Sequence, residues 1–166
     1  MSESQGSEAF DALVGLLDYP MFVVTTTNGA ELAGCLVGFA SQTSISPPGF
    51  LIGLSKKNRT YRVGCEATHL AVHLVARRHI ELARLFGSET GDRVNKFDRA
   101  AWHTGPAGLP ILDDAGAWFA GEIRRRFDVG DHVGHLLEPV AGQSTRDFGD
   151  WVTSADVRDL TPGHEA

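Results

Sequence analysis

The chain has 166 residues, of which 42% are hydrophobic and 22% are charged, the composition of one ordinary globular domain. Its formal net charge is −6 and its basic residues form no long block, so nucleic acid is not expected as the main partner. No apolar run approaches the roughly 18 residues of a membrane span, and the polar start lacks the apolar stretch of a secretory signal. We therefore expect a cytoplasmic protein with no membrane partner.

The sequence patterns predict many short strands and few helices. The expected elements, in chain order, are a disordered lead over 1–6, a helix over 7–17, strands over 21–27, 31–40 and 50–54, a helix over 60–66, a strand over 70–75, a helix over 78–86, and strands over 117–127, 132–139 and 150–153. The pair Asn28-Gly29 lies between two strand-like runs and predicts a tight hairpin. This order is typical of a mainly β fold, a β-barrel with peripheral helices.

A polar segment and a basic turn flank the third expected strand. Residues 38–48 are rich in small hydroxyl and amide side chains, and residues 55–61 carry Lys56, Lys57 and Arg59. Hydroxyls, exposed backbone N–H groups and cationic side chains together bind anionic groups. We therefore expect the two segments to converge on the phosphate of a cofactor. The alternative is that both are ordinary solvated loops, since none of the common phosphate-binding glycine motifs is present.

Other candidate groups give weaker signals. His69 and His73 are four residues apart on an expected strand, a spacing of about 13 Å that is too long for one metal ion. No metal site is therefore predicted. The two cysteines, Cys35 and Cys65, form no C-x-x-C unit and are expected to be free thiols. The long polar connection over 87–108 is expected to be functional, because connections of that length are uncommon in compact domains.

Several short motifs, taken in order, resemble those of the flavin reductase family. They are Ser44-Ile45-Ser46-Pro47-Pro48 before an apolar strand, the polar turn Lys56 to Tyr61, Phe86-Gly87-Ser88 at a helix end, and Gly130-Asp131-His132 before a strand. The resemblance covers roughly residues 8–141. It implies a mainly β, FMN-binding split barrel with peripheral helices that forms a homodimer. We expect a disordered lead over 1–7, the domain over 8–155 and a tail over 156–166.

The resemblance also implies where a flavin would bind. Gly38, Phe39, Ala40 and Ser41 would lie along the ring and its ribityl chain. Thr43, Ser44, Lys56, Arg59 and Thr60 would lie near the phosphate. Phe86 and Gly87 would border the ring. His132 would lie near the ring face where a nicotinamide stacks, in a catalytic role; the alternative is a turn histidine bonded to Asp131. The sequence differs from the family at Gly38-Phe39, where polar residues are more usual, and at Lys57-Asn58.

The activity implied by the resemblance is NAD(P)H-dependent reduction of FMN or FAD, with hydride transfer from the nicotinamide to the flavin. The reduced flavin would serve a monooxygenase partner. Two alternatives stay open at this point. One is a flavin-binding or electron-transfer protein with permanently held FMN, and the other is a deazaflavin-dependent oxidoreductase of the same fold.

Overall fold

The computed structural model describes residues 2–88, 93–145 and 148–160, and begins with a helix, α1, over Glu3–Leu16. The helix starts earlier than expected, because Ser2 rather than Ser7 caps it. The Ser2 hydroxyl accepts a hydrogen bond from the Gln5 N–H, and the Gln5 side chain accepts one from the Ser2 N–H, forming a capping box. The prediction of disorder over the first residues is therefore wrong for the helical ones. No residue of α1 is buried.

Seven antiparallel strands form the main sheet, which confirms the predicted mainly β fold. They are β1 (Phe22–Thr27), β2 (Leu32–Val37), β3 (Ala40–Ser44), β4 (Gly49–Ser55), β5 (His69–Leu74), β8 (Ala117–Asp128) and β9 (His132–Ser144), in the order β2-β1-β5-β8-β9-β4-β3. A small second sheet pairs β6 (Trp102–Thr104) with β7 (Pro110–Leu112). The helices α2 (Arg59–Gly64) and α3 (Ile80–Ser88) connect strands. Among the described residues, no helix combines the length and apolar character that crossing a membrane requires.

The single strand expected over 31–40 is two strands, β2 and β3, which lie at opposite edges of the sheet. Only Gly38 and Phe39 separate them. Because two residues span only about 10 Å, the sheet curves until its two edges approach each other. Gly38 is needed at this joint, since a Cβ there would lie 2.7 Å from a ring carbon of Tyr19. The Phe39 carbonyl then accepts a 2.7 Å hydrogen bond from the Gly53 N–H of β4.

Both faces of the central strands are buried, which explains their continuous runs of apolar residues. Val23 and Val24 are neighbours on β1, point to opposite faces and are both fully buried. Val23 belongs to an apolar cluster that includes α3, and Val24 belongs to a cluster enclosed by the curved sheet. Burial of Val23, worth about 2 kcal/mol, helps to hold α3 against the sheet, and burial of Val24 stabilises the cluster inside the curved sheet.

The C-terminal part of the chain differs from the prediction in two ways. β9 continues to Ser144, into the loop expected over 140–150, because its last residues pair with the start of β8. The strand expected over 150–153 is reduced to isolated bridges, one of which joins Thr153 to Pro20. Val157 and Leu160, expected in the tail, pack on the α3 cluster.

His73 is a buried polar residue that joins three strands. Its Nδ1 lies 2.9 Å from the Val23 carbonyl, and its Nε2 accepts a 3.1 Å hydrogen bond from the Leu112 N–H. The imidazole is therefore neutral, with its proton on Nδ1. Burial lowers the pKa of His73 from 6.5 to about 4.

The fold should lose stability as the pH falls from about 6.5 to about 4. In this window the unfolded chain binds a proton at position 73 and the folded chain does not, so the free energy of unfolding decreases, by roughly 3 kcal/mol at the lower limit. Urea unfolding at about pH 7.5 and about pH 4.5 measures the loss. His73→Gln keeps a donor and an acceptor but cannot titrate, so its loss should be smaller. An equal loss in both proteins would contradict this account.

Candidate functional site

A charged corner forms where β4 ends and β9 begins. Ser55 pairs with His132, and the Lys56 N–H donates to the Asp131 carbonyl at 3.0 Å. The Lys56 ammonium donates to an Asp128 carboxylate oxygen at 2.8 Å, and this bond holds the pKa of Asp128 below its usual value. His132 Nδ1 lies 2.7 Å from an Asp131 carboxylate oxygen, which lowers the pKa of Asp131. The turn pairing expected for His132 is therefore present, and it leaves Nε2 for other contacts.

Phe39 lies directly against this corner. Its ring centroid is 4.7 Å from that of the His132 imidazole, and 58% of its surface is exposed. The contact depends on Gly53, where a Cβ would lie 3.1 Å from the Cβ of Phe39. The structure thus brings the predicted catalytic residue together with one of the predicted ring-binding residues.

A cavity of ≈ 360 Å³ lies beside the start of α2. Its walls are the first residues of β2, the first residues of α2 and the segment 94–97. Asn58 caps α2, its side-chain oxygen accepting a 2.8 Å hydrogen bond from the Thr60 N–H. The Arg59 guanidinium donates to the Leu32 carbonyl at 2.7 Å and lies 3.8 Å from the Glu31 carboxylate. Arg59 and Thr60, both predicted near a phosphate, are therefore wall residues of one cavity.

Lys96 is the main wall residue that the sequence reasoning did not assign to the site. It is 5% exposed, and its ammonium donates to the Gly34 carbonyl at 3.1 Å and to the Phe86 carbonyl at 2.9 Å. The charge lies 5.5 Å from the centroid of the Phe86 ring. Beside it, burial raises the pKa of Cys35, with Thr60 and Lys96 opposing the shift. No local pattern identified Lys96, since one lysine in a polar connection carries no periodic signal.

Within one chain, Thr43 and Ser44 do not converge with Lys56, although the start of the hydroxyl segment, at Phe39, lies beside the lysine turn. Ser44 pairs with Gly49 at the start of β4, and Lys56 follows the end of β4. Seven residues of extended strand separate these positions, a distance of about 23 Å. The reason is that β3 runs antiparallel to β4, so Thr43 and Ser44 point away from the corner to which Phe39 belongs. Ala40 and Ser41 lie nearer to it, opposite Ile52 and Leu51.

Phe86 and Gly87 belong to the core rather than to an open surface. Phe86 is 2% exposed and packs edge-on against Phe97, with the ring centroids 5.6 Å apart. At Gly87 a Cβ would lie 2.8 Å from a side-chain carbon of Leu36. This packing leaves the Phe86 side chain no surface for a bound ring, and Phe86 supports the cavity wall through its contacts with Lys96 and Gly34.

The histidines of β5 have separate environments. His69 Nδ1 lies 2.7 Å from the Thr68 hydroxyl, while His73 lies in the core, as the strand placement predicted. Within residues 2–88, 93–145 and 148–160, no group of three metal-ligating side chains comes together.

Comparison with known proteins identifies the family. The family model described as flavin reductase like domain matches residues 14–150. The FMN reductase (NADH) RutF 2 of Rhizobium rhizogenes is 31% identical over 119 residues, which are 72% of this chain and 68% of the relative. The reductase component of a flavin-dependent trigonelline monooxygenase from Acinetobacter baylyi is 29% identical over 113 residues, 67% of this chain and 35% of that protein.

Solved structures show the same fold at lower identity. The NADH:FAD oxidoreductase SgcE6 of Streptomyces globisporus superposes with a TM-score of 0.78 at 23% identity, covering 92% of this chain and 95% of that chain. An FMN-binding protein from Thermus thermophilus superposes with a TM-score of 0.74 at 23% identity, covering 80% and 75%. The family model matches most of the chain, and the solved structures share its fold. Both findings agree with the resemblance seen in the sequence motifs. The chain belongs to the flavin reductase family.

Proposed function

We propose that this chain is a flavin reductase that uses NADH to reduce FMN. The enzyme class predicted from the sequence, an NAD(P)H:flavin oxidoreductase with a flavin and a nicotinamide nucleotide, is confirmed by the family and by the relatives named FMN reductase (NADH). The observation that carries the finer proposal is the placement of Arg59 and Thr60 in one cavity and of Phe39 on His132 nearby. A phosphate binds to charged donors such as the Arg59 guanidinium, and a flat ring stacks on an aromatic side chain such as Phe39.

The proposed phosphate site is the cavity at Arg59. Arg59 supplies a charged N–H donor set, and the capped start of α2 adds backbone N–H groups. Lys96 adds a second positive charge in the wall. Lys56, by contrast, is already ion-paired with Asp128. Arg59 also has a carboxylate near it, that of Glu31 at 3.8 Å, but unlike Lys56 it lines a cavity that can hold an anionic group, so we place the phosphate at Arg59.

The proposed ring site runs from the cavity along β2 to the joint with β3. Gly34 at the cavity and Phe39 at the joint are five residues apart in the chain, so they lie at most about 17 Å from each other. A flat ring with a phosphate-bearing side chain can bridge this span. We propose that Gly38, Phe39, Ala40 and Ser41 contact the ring and its chain. The bound flavin supplies the hydride acceptor, and the protein positions it.

His132 would act at the outer end of this site. Its Nδ1 is paired with Asp131, which fixes the ring orientation, and the Phe39 ring covers one side of the imidazole. Nε2 can then contact a nicotinamide or hold a proton at the edge of the platform. This assigns His132 a catalytic role and Asp131 a positioning role.

Three further proposals concern the assembly and the partner. The curvature imposed by the joint between β2 and β3 supports a split barrel, and the chain's exposed apolar surfaces support a homodimer. The name of the Acinetobacter relative supports delivery of reduced flavin to a monooxygenase.

Oxidation of NADH that depends on added FMN tests the proposed reductase activity. Purified protein that is yellow but oxidises no nucleotide would instead favour a permanently held flavin.

Arg59→Ala should weaken FMN binding by roughly ten- to a hundredfold, because a charge-assisted hydrogen bond is worth about 1.5–3 kcal/mol. Quenching of flavin fluorescence measures the dissociation constant. Arg62→Ala is the matched control, since Arg62 is also an arginine of α2 but is exposed and donates to the Lys57 carbonyl. An unchanged dissociation constant for Arg59→Ala would show that the phosphate lies elsewhere.

His132→Ala should lower kcat/KM for NADH by roughly a hundredfold and leave FMN affinity nearly unchanged, as expected for loss of a proton-handling group. The matched control is His103→Ala, because His103 forms the same kind of pair, 2.6 Å from Asp113, on the small second sheet. Stopped-flow oxidation of NADH measures the effect. Wild-type rates in His132→Ala would leave only the turn pairing with Asp131 as the role of this residue.

A further inference from the structure

Helix α1 presents an apolar face that the described residues of its own chain leave largely uncovered. Phe10, Leu13, Val14 and Leu17 share one side at helical spacing, and Phe10, Leu13 and Leu17 are 65%, 58% and 49% exposed. An isolated helix of this length is only marginally stable in water, so most of its stability must come from packing. The capping box fixes where α1 begins but does not supply that packing.

A second apolar surface, made of half-buried side chains, lies beside the start of β1, the strand that follows α1. It is a groove of ≈ 380 Å³ between the start of β1 and β8 and the end of β5 and β9. Its floor contains Phe22, Phe50 and Phe119, whose rings pack edge to face with centroids 5.7 and 5.5 Å apart. Val72, Leu74 and Trp118 extend it. The groove therefore opens directly onto the apolar cluster enclosed by the sheet.

We propose that α1 of one copy lies in this groove of a second copy, so that the two chains of the homodimer exchange their first helices. The connection is short: α1 ends at Leu16, and Phe22, which begins β1, already lines the groove. Between them, Asp18 accepts a hydrogen bond from the Ala155 N–H and Met21 donates to the Val152 carbonyl, so this segment is fixed to its own chain. In this chain α1 does not fill its own groove, since none of its residues is buried.

The surface available is sufficient for a stable dimer. Burying one Leu or Phe side chain removes on the order of 100 Å² of apolar surface. Four such side chains on each of two helices, with an equal area of each groove, give roughly 1,600 Å², the size of a standard interface. Because a two-fold axis repeats every contact, the fit of one helix into one groove describes both halves of the dimer interface.

The proposal rests on the proposed homodimer and is tested by the mass of the full chain in solution. Wild-type protein should have twice the 17.9 kDa mass of one chain by light scattering. Phe10→Ser combined with Leu13→Glu should yield a monomer that has lost helical circular dichroism and kept its β signal. Folding of the sheet is not at risk, since α1 has no buried residue. The control, Val129→Glu, changes an equally exposed side chain in the β8–β9 turn and should stay dimeric.

Cross-linking distinguishes exchange from folding back. In a Cys65→Ser background, Leu13→Cys and Gln143→Cys place one thiol on α1 and one at the groove, while Cys35 is buried. A short bismaleimide should join two chains into one covalent dimer. A dimer that survives the α1 substitutions would overturn the exchange and leave the homodimer standing. A cross-link within one chain, or no cross-link, would also overturn it, and a monomeric wild type would overturn both proposals.

Discussion

The two-residue joint between β2 and β3 is the constraint on which the rest of the structure depends. It connects strands at opposite edges of a seven-stranded sheet, so the sheet has to curve until those edges approach. Two glycines permit it: a Cβ at Gly38 would lie 2.7 Å from the Tyr19 ring, and a Cβ at Gly53 would lie in tight contact, 3.1 Å from the Cβ of Phe39. A larger residue at either position would push the edges apart and remove Phe39 from His132.

The same joint organises the charges of the candidate site. On one side of it, at the start of β9, Lys56 forms an ion pair with Asp128, and His132 is hydrogen-bonded to Asp131. On the other side, Arg59 lines a cavity, and the charge of Lys96 is buried against two backbone carbonyls. Bringing a lysine into a core is costly unless its hydrogen bonds are made. Two cationic side chains, Arg59 and Lys96, therefore line the cavity where we place the phosphate, together with the carboxylate of Glu31.

Much of the fold could be predicted from the sequence because its signals are local. The Asn28-Gly29 hairpin, the strand at 50–54 and the β5 strand follow from turn chemistry and side-chain periodicity, and each lies within a residue or two of its expected position. The break at Gly38 could not be predicted in this way. Apolar and small residues continue across it without interruption, and only the pairing of β3 with β4 shows that the chain has changed edges.

The residues of the candidate site could also be predicted only where the signal is local. His132, Phe39, Arg59 and Thr60 lie in or beside the site, since each belongs to a short motif with its own turn or cap. The hydroxyls of Thr43 and Ser44 and the family resemblance predicted that these residues lie near the phosphate, but the direction of β3 places them about 23 Å from Lys56. The burial of Lys96 in the cavity wall could not be predicted, because its ammonium is held by the carbonyls of Gly34 and Phe86, which lie elsewhere in the sequence.

The central claim is that the Arg59 cavity and the Phe39–His132 platform are the two ends of one flavin site. A crystal structure of the protein with bound FMN tests it most directly. The account predicts phosphate oxygens within hydrogen-bonding distance of the Arg59 guanidinium and the flavin ring in contact with Phe39. Density that places the phosphate at Lys56, or the ring away from Phe39 and His132, would contradict it.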